Sequence, residues 1–216
     1  MNIGPRLLFF SLAACFTFGS SPTQMVGAPP STSKKPIRIV MLGDSLTAGY
    51  GVDEKAAYPA LVEEILRGEK KDITIINASI SGSTSAGALS RLKWQLRNNP
   101  THVFFALGAN DGLRGIRLES TETNLNQAIE FAKSKNLSIL MAGIKIPPNY
   151  GPDYFKAFEG LFKKIASKYD IPLLPFLLED VAGEPNMNQA DGIHPNVAGH
   201  KKIAKSVADF FREKLF

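Results

Sequence analysis

The sequence contains a single cysteine, Cys15, in a chain of 216 residues. A lone cysteine has no partner within the chain, which excludes an intramolecular disulfide. No basic stripe interleaved with aromatic side chains occurs, and the formal net charge is only +5, with 25 basic and 20 acidic residues. Residues 1–36 hold three of the basic residues and no acid, which leaves 22 basic and 20 acidic residues in residues 37–216. This near balance argues against nucleic acid as a partner.

Two further patterns are missing from the sequence. Asp191, His194 and His200 lie close together along the chain, but they show no fixed metal-ligand spacing, so we expect no metal site. No Gly-x-Ser-x-Gly segment is present, which argues against an esterase of the α/β-hydrolase fold. With 44% hydrophobic residues, the chain has the composition and length of one well-buried domain.

The N-terminal segment predicts export. Arg6 precedes the apolar run LLFFSLAA (7–14), which is too short to cross a bilayer as a stable helix. This arrangement is typical of a secretory signal peptide, which we assign to residues 1–15. The segment ends in LAAC, which resembles the lipobox of bacterial lipoproteins, and the resemblance implies that Cys15 is a lipid attachment site. The alternative is that Cys15 is a small apolar residue of the signal core, with cleavage further on, at VGA (26–28).

Residues 16–36 are rich in Pro, Ser, Thr and Gly and predict a flexible tether. The alternative is an unprocessed disordered leader. Together with the signal peptide, the tether predicts an exported bacterial protein that is either periplasmic or a lipoprotein anchored to a membrane through Cys15.

From Ile37 onward, apolar runs alternate with amphipathic segments. The runs are mostly continuous, as in strands that are buried on both faces of a sheet. Between them, apolar residues recur at spacings of three and four, which places them on one face of a helix. This alternation predicts an α/β fold with a parallel sheet covered on both sides, in one domain at residues 37–216. The five runs are IRIVML (37–42), ITIINA (73–78), HVFFAL (102–107), LSILMAGI (137–144) and IPLLPFLL (171–178).

Polar, glycine-containing segments follow four of the predicted strands. In open parallel sheets, sites form beyond the carboxyl ends of the strands, at the point where the strand order reverses. We therefore expect these segments to converge on one crevice. They are GDSLTAGYG (43–51), SISGSTS (79–85), GANDGLRG (108–115) and QADGIHPN (189–196).

Each segment supplies a different part of a hydrolytic site. Ser45 offers a hydroxyl, which becomes nucleophilic when a base removes its proton. His194 is the candidate base, and Asp191, three residues earlier, is placed to hold the second imidazole nitrogen. The backbone N–H of Ser45, the unshielded N–H of Gly82 and the amide of Asn110 are candidate donors to a developing oxyanion.

Each of these assignments has an alternative. Ser45 taken alone is well explained as a turn or capping serine. His102 and His200 are rival bases. However, His102 begins a strand, at the end opposite the site. His200 lies six residues after His194, within the last helix, and we expect it on a different face from His194. Asp44 and Asp111 are rival carboxylates, and we expect them instead to brace their loops through backbone hydrogen bonds.

Taken together, the segments resemble the four signature blocks of the SGNH, or GDSL, hydrolases. The blocks are Gly-Asp-Ser-Leu (43–46), Gly82, Gly-Ala-Asn-Asp (108–111) and Asp-Gly-Ile-His (191–194), in the family's order. The resemblance covers residues 37–216. It is strongest to the bacterial thioesterase I, lysophospholipase and arylesterase group, through the segments NASISGSTS, NDGLRG, PPNYG, PLLPF and DGIHPN.

The resemblance implies a three-layer α/β/α, flavodoxin-like fold with a five-stranded parallel sheet. It implies Ser45 as the nucleophile of a triad with Asp191 and His194, and an oxyanion hole made by the N–H groups of Ser45 and Gly82 and the side chain of Asn110. The implied function is cofactor-free hydrolysis of carboxylic esters and thioesters through an acyl-enzyme. We expect a monomer that acts on small acyl esters or thioesters, with lysophospholipids among the candidate substrates.

Two other functions are alternatives. A carbohydrate acetylesterase on the same fold is one, and the segments NDGLRG and PPNYG argue against it. A non-catalytic, surface-binding lipoprotein is the other, and the intact set of Ser45, Asp191 and His194 argues against it.

Overall fold

The structure is a computed structural model that describes residues 1–4 and 36–216. The chain divides into two compact units, Met1–Lys34 and Lys35–Phe216. In the first unit only residues 1–4 are described, and these are exposed and form neither helix nor strand. The second unit contains all the helices and strands that the structure describes.

The predictions for the N-terminal segment concern mostly residues that the structure does not describe. Of the predicted signal peptide (1–15), only residues 1–4 are described, and of the predicted tether (16–36), only residue 36 is. Cys15 lies outside the described part of the chain. Among the described helices, none combines the length and the apolar character needed to span a bilayer.

A five-stranded parallel sheet forms the centre of the second unit. Its strands are β1 (Ile37–Gly43), β2 (Ile73–Asn77), β3 (His102–Ala106), β4 (Ser138–Ala142) and β5 (Leu173–Leu174). Their spatial order is β2-β1-β3-β4-β5, and every neighbouring pair is parallel. This confirms the predicted α/β fold and its flavodoxin-like strand order.

The strands are continuously apolar because both faces of the sheet are covered. In β1, residues 39–43 are all buried. Val40 pairs with Ile76 of β2 on one side and with Val103 of β3 on the other. Side chains from such a central strand pack into the core on both faces, which explains why the sequence shows runs instead of an alternating pattern.

The helices cover the two faces of the sheet. They are α1 (Ser45–Ala48), α2 (Tyr58–Gly68), α3 (Ala88–Gln95), α4 (Ala109–Leu113), α5 (Leu118–Ser134), α6 (Pro152–Tyr169) and α7 (Val197–Leu215). Helix α2 packs against α7, whereas α5 packs against both α3 and α6. With this strand order, the right-handed crossovers that parallel strands adopt place these two groups on opposite faces, as in the predicted three layers.

The fifth strand is much shorter than predicted. The apolar run at 171–178 predicts a full-length strand, but β5 contains only Leu173 and Leu174. Pro172 and Pro175 flank these two residues, and proline lacks the N–H that a sheet hydrogen bond requires. Because β5 lies at the edge of the sheet, so short a strand leaves β1 and β3 paired on both sides, whereas β4 pairs with β5 only at Met141 and Ala142.

The strand order reverses at β1, which has β2 on one side and β3 on the other. The chain leaves β1 at Gly43, β2 at Asn77 and β3 at Ala106, all at the carboxyl edge of the sheet. Three of the four polar segments therefore begin at the position where parallel sheets form their binding sites.

Candidate active site

Ser45 follows β1 almost immediately and is the first residue of the one-turn helix α1. Asp44 caps this helix, because its Oδ1 accepts a hydrogen bond from the N–H of Leu46 at 3.1 Å. Gly43 has no room for a side chain, since a Cβ there would lie 2.3 Å from Thr47 Oγ1. The Gly-Asp-Ser sequence thus makes a tight exit from the strand and fixes the serine at a helix N-terminus.

His194 and Asp191 reach Ser45 from the loop between β5 and α7. His194 Nε2 lies 2.9 Å from Ser45 Oγ, and His194 Nδ1 lies 2.7 Å from Asp191 Oδ2. Ser45 and His194 are 149 positions apart in the sequence, so only the fold can bring them together. The three residues predicted as a triad therefore form one continuous chain of hydrogen bonds.

The environment of Asp191 determines how the imidazole is protonated. Asp191 Oδ1 accepts hydrogen bonds from the N–H groups of His194 at 3.0 Å and Ile193 at 2.9 Å. These backbone hydrogen bonds, with that of His194 contributing most, lower the pKa of Asp191 from 3.8 to about 2. The ionised carboxylate can only accept, so His194 Nδ1 donates to it. Nε2 is then free to accept the proton of the Ser45 hydroxyl.

Gly82 lies in a turn that is tied to the end of β1. Its φ of +77° lies in the left-handed region, which favours glycine. The N–H of Gly43 donates to Ser79 Oγ at 3.0 Å, and the N–H of Ile80 donates to the carbonyl of Gly43 at 3.3 Å. The turn that carries Gly82 is therefore anchored to the residue that precedes Asp44 and Ser45.

Asn110 lies in α4 and contacts the same turn. Its Nδ2 donates to the carbonyl of Ser83 at 3.0 Å. Arg114, four residues further along, donates through Nη2 to the carbonyl of Gly82, also at 3.0 Å. The structure therefore places the predicted oxyanion donors Gly82 and Asn110 in one hydrogen-bonded cluster.

Asp111 braces this region from within the core, as predicted. Its Oδ2 accepts from the N–H of Ser85 at 2.8 Å, and its Oδ1 accepts from the hydroxyls of Ser85 and Thr121. Asn124 donates to Ser85 Oγ at 3.0 Å. Asp111 thereby joins the loop after β2 to the helices after β3, and it takes no part in the hydrogen bonds of His194.

Next to the serine block lie two charged residues, the buried Asp44 and the half-buried Arg91. Burial raises the pKa of Asp44 from 3.8 to about 6, whereas the positive charge of Arg91 opposes this rise. Arg91 Nη1 donates to the carbonyls of Gly43 at 2.8 Å and Ala78 at 3.3 Å, so it joins the ends of β1 and β2. Sequence reasoning missed Arg91, because its place in a helical pattern carries no sign of this contact.

The two rival histidines lie elsewhere. His200 is buried, its Nδ1 accepts from the N–H of Tyr58 at 3.2 Å, and burial lowers its pKa to about 4. His102 contacts the hydroxyl of Thr101 at the start of β3, and burial lowers its pKa as well. Neither histidine contacts Ser45. Over residues 1–4 and 36–216, no group of three His, Cys, Asp or Glu side chains is placed to hold a metal.

Tyr50 is a second residue that sequence reasoning missed. Its ring lies 4.7 Å from the imidazole of His194, centroid to centroid, with an angle of 44° between the planes. About half of the side chain remains exposed. Its only signal in the sequence is its place inside the segment GDSLTAGYG. The structure shows that this aromatic ring forms one wall beside the candidate base.

Comparison with known proteins finds similarity over most of the chain. Residues 41–202 match the GDSL-like Lipase/Acylhydrolase family. "Esterase TesA" of Pseudomonas aeruginosa is 40% identical over 170 residues, covering 78% of this chain and 85% of that protein. "Thioesterase 1/protease 1/lysophospholipase L1" of Escherichia coli K12 is 43% identical over 178 residues, covering 82% of each chain. "Arylesterase" of Vibrio mimicus is 38% identical and covers 79% of this chain and 86% of its own.

Solved structures show the same similarity in three dimensions. The crystal structure of TesA has a TM-score of 0.79 and 38% identity, and the match covers 82% of this chain and 99% of that one. The esterase EstA from Pseudoalteromonas sp., inhibited by monoethylphosphonate, has a TM-score of 0.79 and 39% identity, and the match covers 82% and 98%.

Proposed function

Because the chain belongs to the GDSL-like lipase/acylhydrolase family and is a serine hydrolase of esters and thioesters, we propose that Ser45, His194 and Asp191 are its catalytic triad. One observation carries the proposal: the continuous hydrogen bonding from Ser45 Oγ through both imidazole nitrogens to Asp191 Oδ2, at 2.9 and 2.7 Å. A serine, an imidazole and an ionised carboxylate in this arrangement are the parts that nucleophilic acyl transfer requires.

The reaction proceeds in two halves. Ser45 Oγ attacks the carbonyl carbon while His194 Nε2 takes the hydroxyl proton, which forms a tetrahedral intermediate. His194 then gives that proton to the leaving alcohol or thiol, the bond to the leaving group breaks, and an acyl-enzyme remains. Water attacks the acyl-enzyme with His194 again as the base, and the carboxylic acid is released as Ser45 regains its proton. Asp191 stays ionised and stabilises the imidazolium in both halves.

The negative oxygen of each tetrahedral intermediate is stabilised by three donors. These are the N–H of Ser45, the N–H of Gly82 and the second amide N–H of Asn110, the first being used by the carbonyl of Ser83. Donors that are fixed before the reaction need no reorganisation when the charge develops, which is why such sites lower the barrier strongly.

Exposed apolar side chains next to the triad support an apolar acyl or aryl substrate. Tyr50, Ile80 and Ile193 are each about half exposed, and all three belong to the segments that carry Ser45, Gly82 and His194. Large side chains left exposed together at a reactive site are typical of a ligand-contacting surface. Together with the relatives named thioesterase, lysophospholipase and arylesterase, they support acyl thioesters, lysophospholipids and aryl esters as substrates.

The location and the assembly are also part of the proposal. All the proposed catalytic groups come from one chain, so a monomer is sufficient for activity. Lipidation at Cys15 would anchor the enzyme, and a tether of residues 16–36 would give it a root-mean-square reach of about 25 Å. An anchored enzyme meets substrates such as lysophospholipids at a raised effective concentration.

The test is active-site labelling with an organophosphonate, followed by peptide mass spectrometry. We expect one label, on Ser45, and we expect Ser45→Ala to lose both labelling and hydrolysis of p-nitrophenyl esters, acyl-CoA and lysophospholipid. Ser134→Ala removes an exposed serine hydroxyl elsewhere and should behave as wild type. Hydrolysis that survives in Ser45→Ala would reject the triad, and activity confined to acetyl esters would reject the proposed substrate class.

A further inference from the structure

Gln189 connects the two segments that carry the proposed base and nucleophile. Its side-chain Nε2 donates to the carbonyl of Tyr50 at 2.7 Å and to the carbonyl of Pro195 at 3.0 Å. Tyr50 and Gln189 are 139 positions apart in the sequence. Both N–H groups of the amide are therefore used, one across to the serine segment and one within its own loop.

The loop around His194 is closed by the same residue. The backbone N–H of Gln189 donates to the carbonyl of His194 at 2.8 Å, and the N–H of Gly192 donates to the carbonyl of Gln189 at 2.9 Å. Asn188 and Pro195 form an antiparallel bridge at the base of the loop. The loop is thus a small closed unit that carries Asp191 and His194. Gln189 stabilises it through its backbone N–H, which binds His194, and through its side chain, which binds Pro195.

On the side of the serine segment, Tyr50 and Gly51 are the residues next to the Gln189 side chain. The N–H of Tyr50 donates to the carbonyl of Ser45 at 3.1 Å, and the Tyr50 ring contacts the imidazole. Gly51 has a φ of +78°, and a Cβ on it would lie 2.2 Å from Gln189 Oε1. A glycine at position 51 is therefore what allows the glutamine side chain to reach this position.

We propose that Gln189 is a positioning residue that fixes the distance between His194 Nε2 and Ser45 Oγ. The inference rests on the proposed triad and deepens it. In the part of the chain that the structure describes, the Gln189–Tyr50 contact is the only hydrogen bond between residues 45–51 and 189–196 besides the Ser45–His194 contact itself. A base and a nucleophile on separate loops need such a support, because a displacement of about 1 Å can lower a rate by about a hundredfold.

The direct test removes the amide N–H donors of Gln189 and keeps the approximate volume of its side chain. Gln189→Met has a side chain of similar length without a donor, and Gln189→Glu places carboxylate oxygens opposite two carbonyls. We expect kcat for a p-nitrophenyl ester to fall between about tenfold and a hundredfold in Gln189→Met, and at least as far in Gln189→Glu. KM should stay within about twofold, because the proposed role of Gln189 is to position His194 against Ser45 and not to bind the ester.

The indirect test acts from the other side of the contact. Gly51→Ala should displace the flexible end of Gln189 and lower kcat in the same way. Gly183→Ala is the matched control, because Gly183 has a φ of +79° and a Cβ there would meet no atom within 4 Å. Both alanine variants therefore carry the same backbone strain, and only one of them disturbs Gln189.

All rates are expressed per active site, counted by phosphonate titration of the full-length protein, alongside the melting temperature. A merely structural role would lower the melting temperature and the number of sites while leaving kcat per site unchanged, and that result overturns the proposal. Wild-type kcat per site in both Gln189→Met and Gly51→Ala also overturns it. Failure of the proposed function is distinct, since the wild-type protein would then neither label at Ser45 nor turn over the ester.

Discussion

The side-chain amide of Asn110 donates to the backbone carbonyl of Ser83 over 3.0 Å. This contact uses one of the two amide N–H groups and fixes the direction of the other. It also ties Asn110 to the turn of Gly82, whose carbonyl accepts from Arg114. One turn therefore contacts Asn110 through Ser83 and carries Gly82, and the proposed oxyanion hole requires donors that are held in place in this way.

Removing the amide should affect the chemical step more than binding. In Asn110→Ala we expect kcat to fall by about a hundredfold or more with little change in KM, because the donor acts only once charge develops. The backbone donors of Ser45 and Gly82 remain, so the activity should stay above that of Ser45→Ala. Steady-state kinetics and the phosphonate labelling rate measure both effects. A raised KM with unchanged kcat would instead assign Asn110 to substrate binding.

Replacing Asp191 by asparagine separates its electrostatic role from its structural one. Asn can still accept the backbone N–H groups of Ile193 and His194, but its amide cannot accept from Nδ1 of His194. We expect kcat to fall by about a thousandfold to ten-thousandfold, as for the equivalent change in another serine hydrolase, with a near wild-type melting temperature.

Asp191→Ala provides the comparison for that prediction. It removes the backbone contacts as well, so it should lower both kcat and the melting temperature. Equal kcat in Asp191→Asn and wild type would remove the carboxylate from the proposed triad.

The buried Asp44 should make stability depend on pH. Its pKa is raised from 3.8 to about 6, so the folded state binds its proton more tightly than the unfolded state does. The stabilising contribution of protonated Asp44 is therefore complete below pH 3.8 and is lost as the pH rises through about 6. Asp44→Asn keeps an acceptor for the helix cap and removes the titration.

The expected result is a difference in stability that grows with pH. Relative to wild type, the free energy of unfolding of Asp44→Asn should rise by about 3 kcal/mol between acid and neutral pH, since one pKa unit corresponds to about 1.4 kcal/mol. Urea unfolding across that pH range measures it, with Asp72→Asn as an exposed control. Parallel pH profiles for Asp44→Asn and wild type would contradict the prediction.

The N-terminal segment makes a prediction of its own. If Cys15 is lipidated, the protein from its native host should partition into the detergent phase, and Cys15→Ala should block that partition and the processing that precedes it. Mass spectrometry of the mature N-terminus reads out the result. An N-terminus beyond Cys15 without added lipid mass would reject the anchor.

Much of the fold follows from local patterns in the sequence. The continuous apolar runs predict buried parallel strands, because the period and length of such runs reflect burial on both faces. The pattern fails at β5, where Leu173 and Leu174 are apolar like their neighbours but Pro172 and Pro175 prevent further pairing. The apolar character of a run reflects its burial, whereas the length of a strand also depends on which backbone N–H groups are available to donate hydrogen bonds.

The candidate residues of the site could also be named from the sequence, since Ser45, Asp191, His194, Gly82 and Asn110 occur in segments that follow predicted strands. The structure gathers them, and their catalytic roles stay predictions. Their residue types are dictated by the chemistry, and their place after the strands is dictated by the parallel sheet.

Only the tertiary structure decided which other residues support that site. Arg91, Tyr50 and Gln189 have no motif, and each acts through a contact with a backbone carbonyl or an aromatic ring far away in the sequence. Such contacts depend on the strand order and on the path of the loops, which determine the distances between segments. A glutamine that reaches across 139 positions to a carbonyl is invisible in a sequence, because any residue offers that carbonyl and only the fold brings it within 2.7 Å.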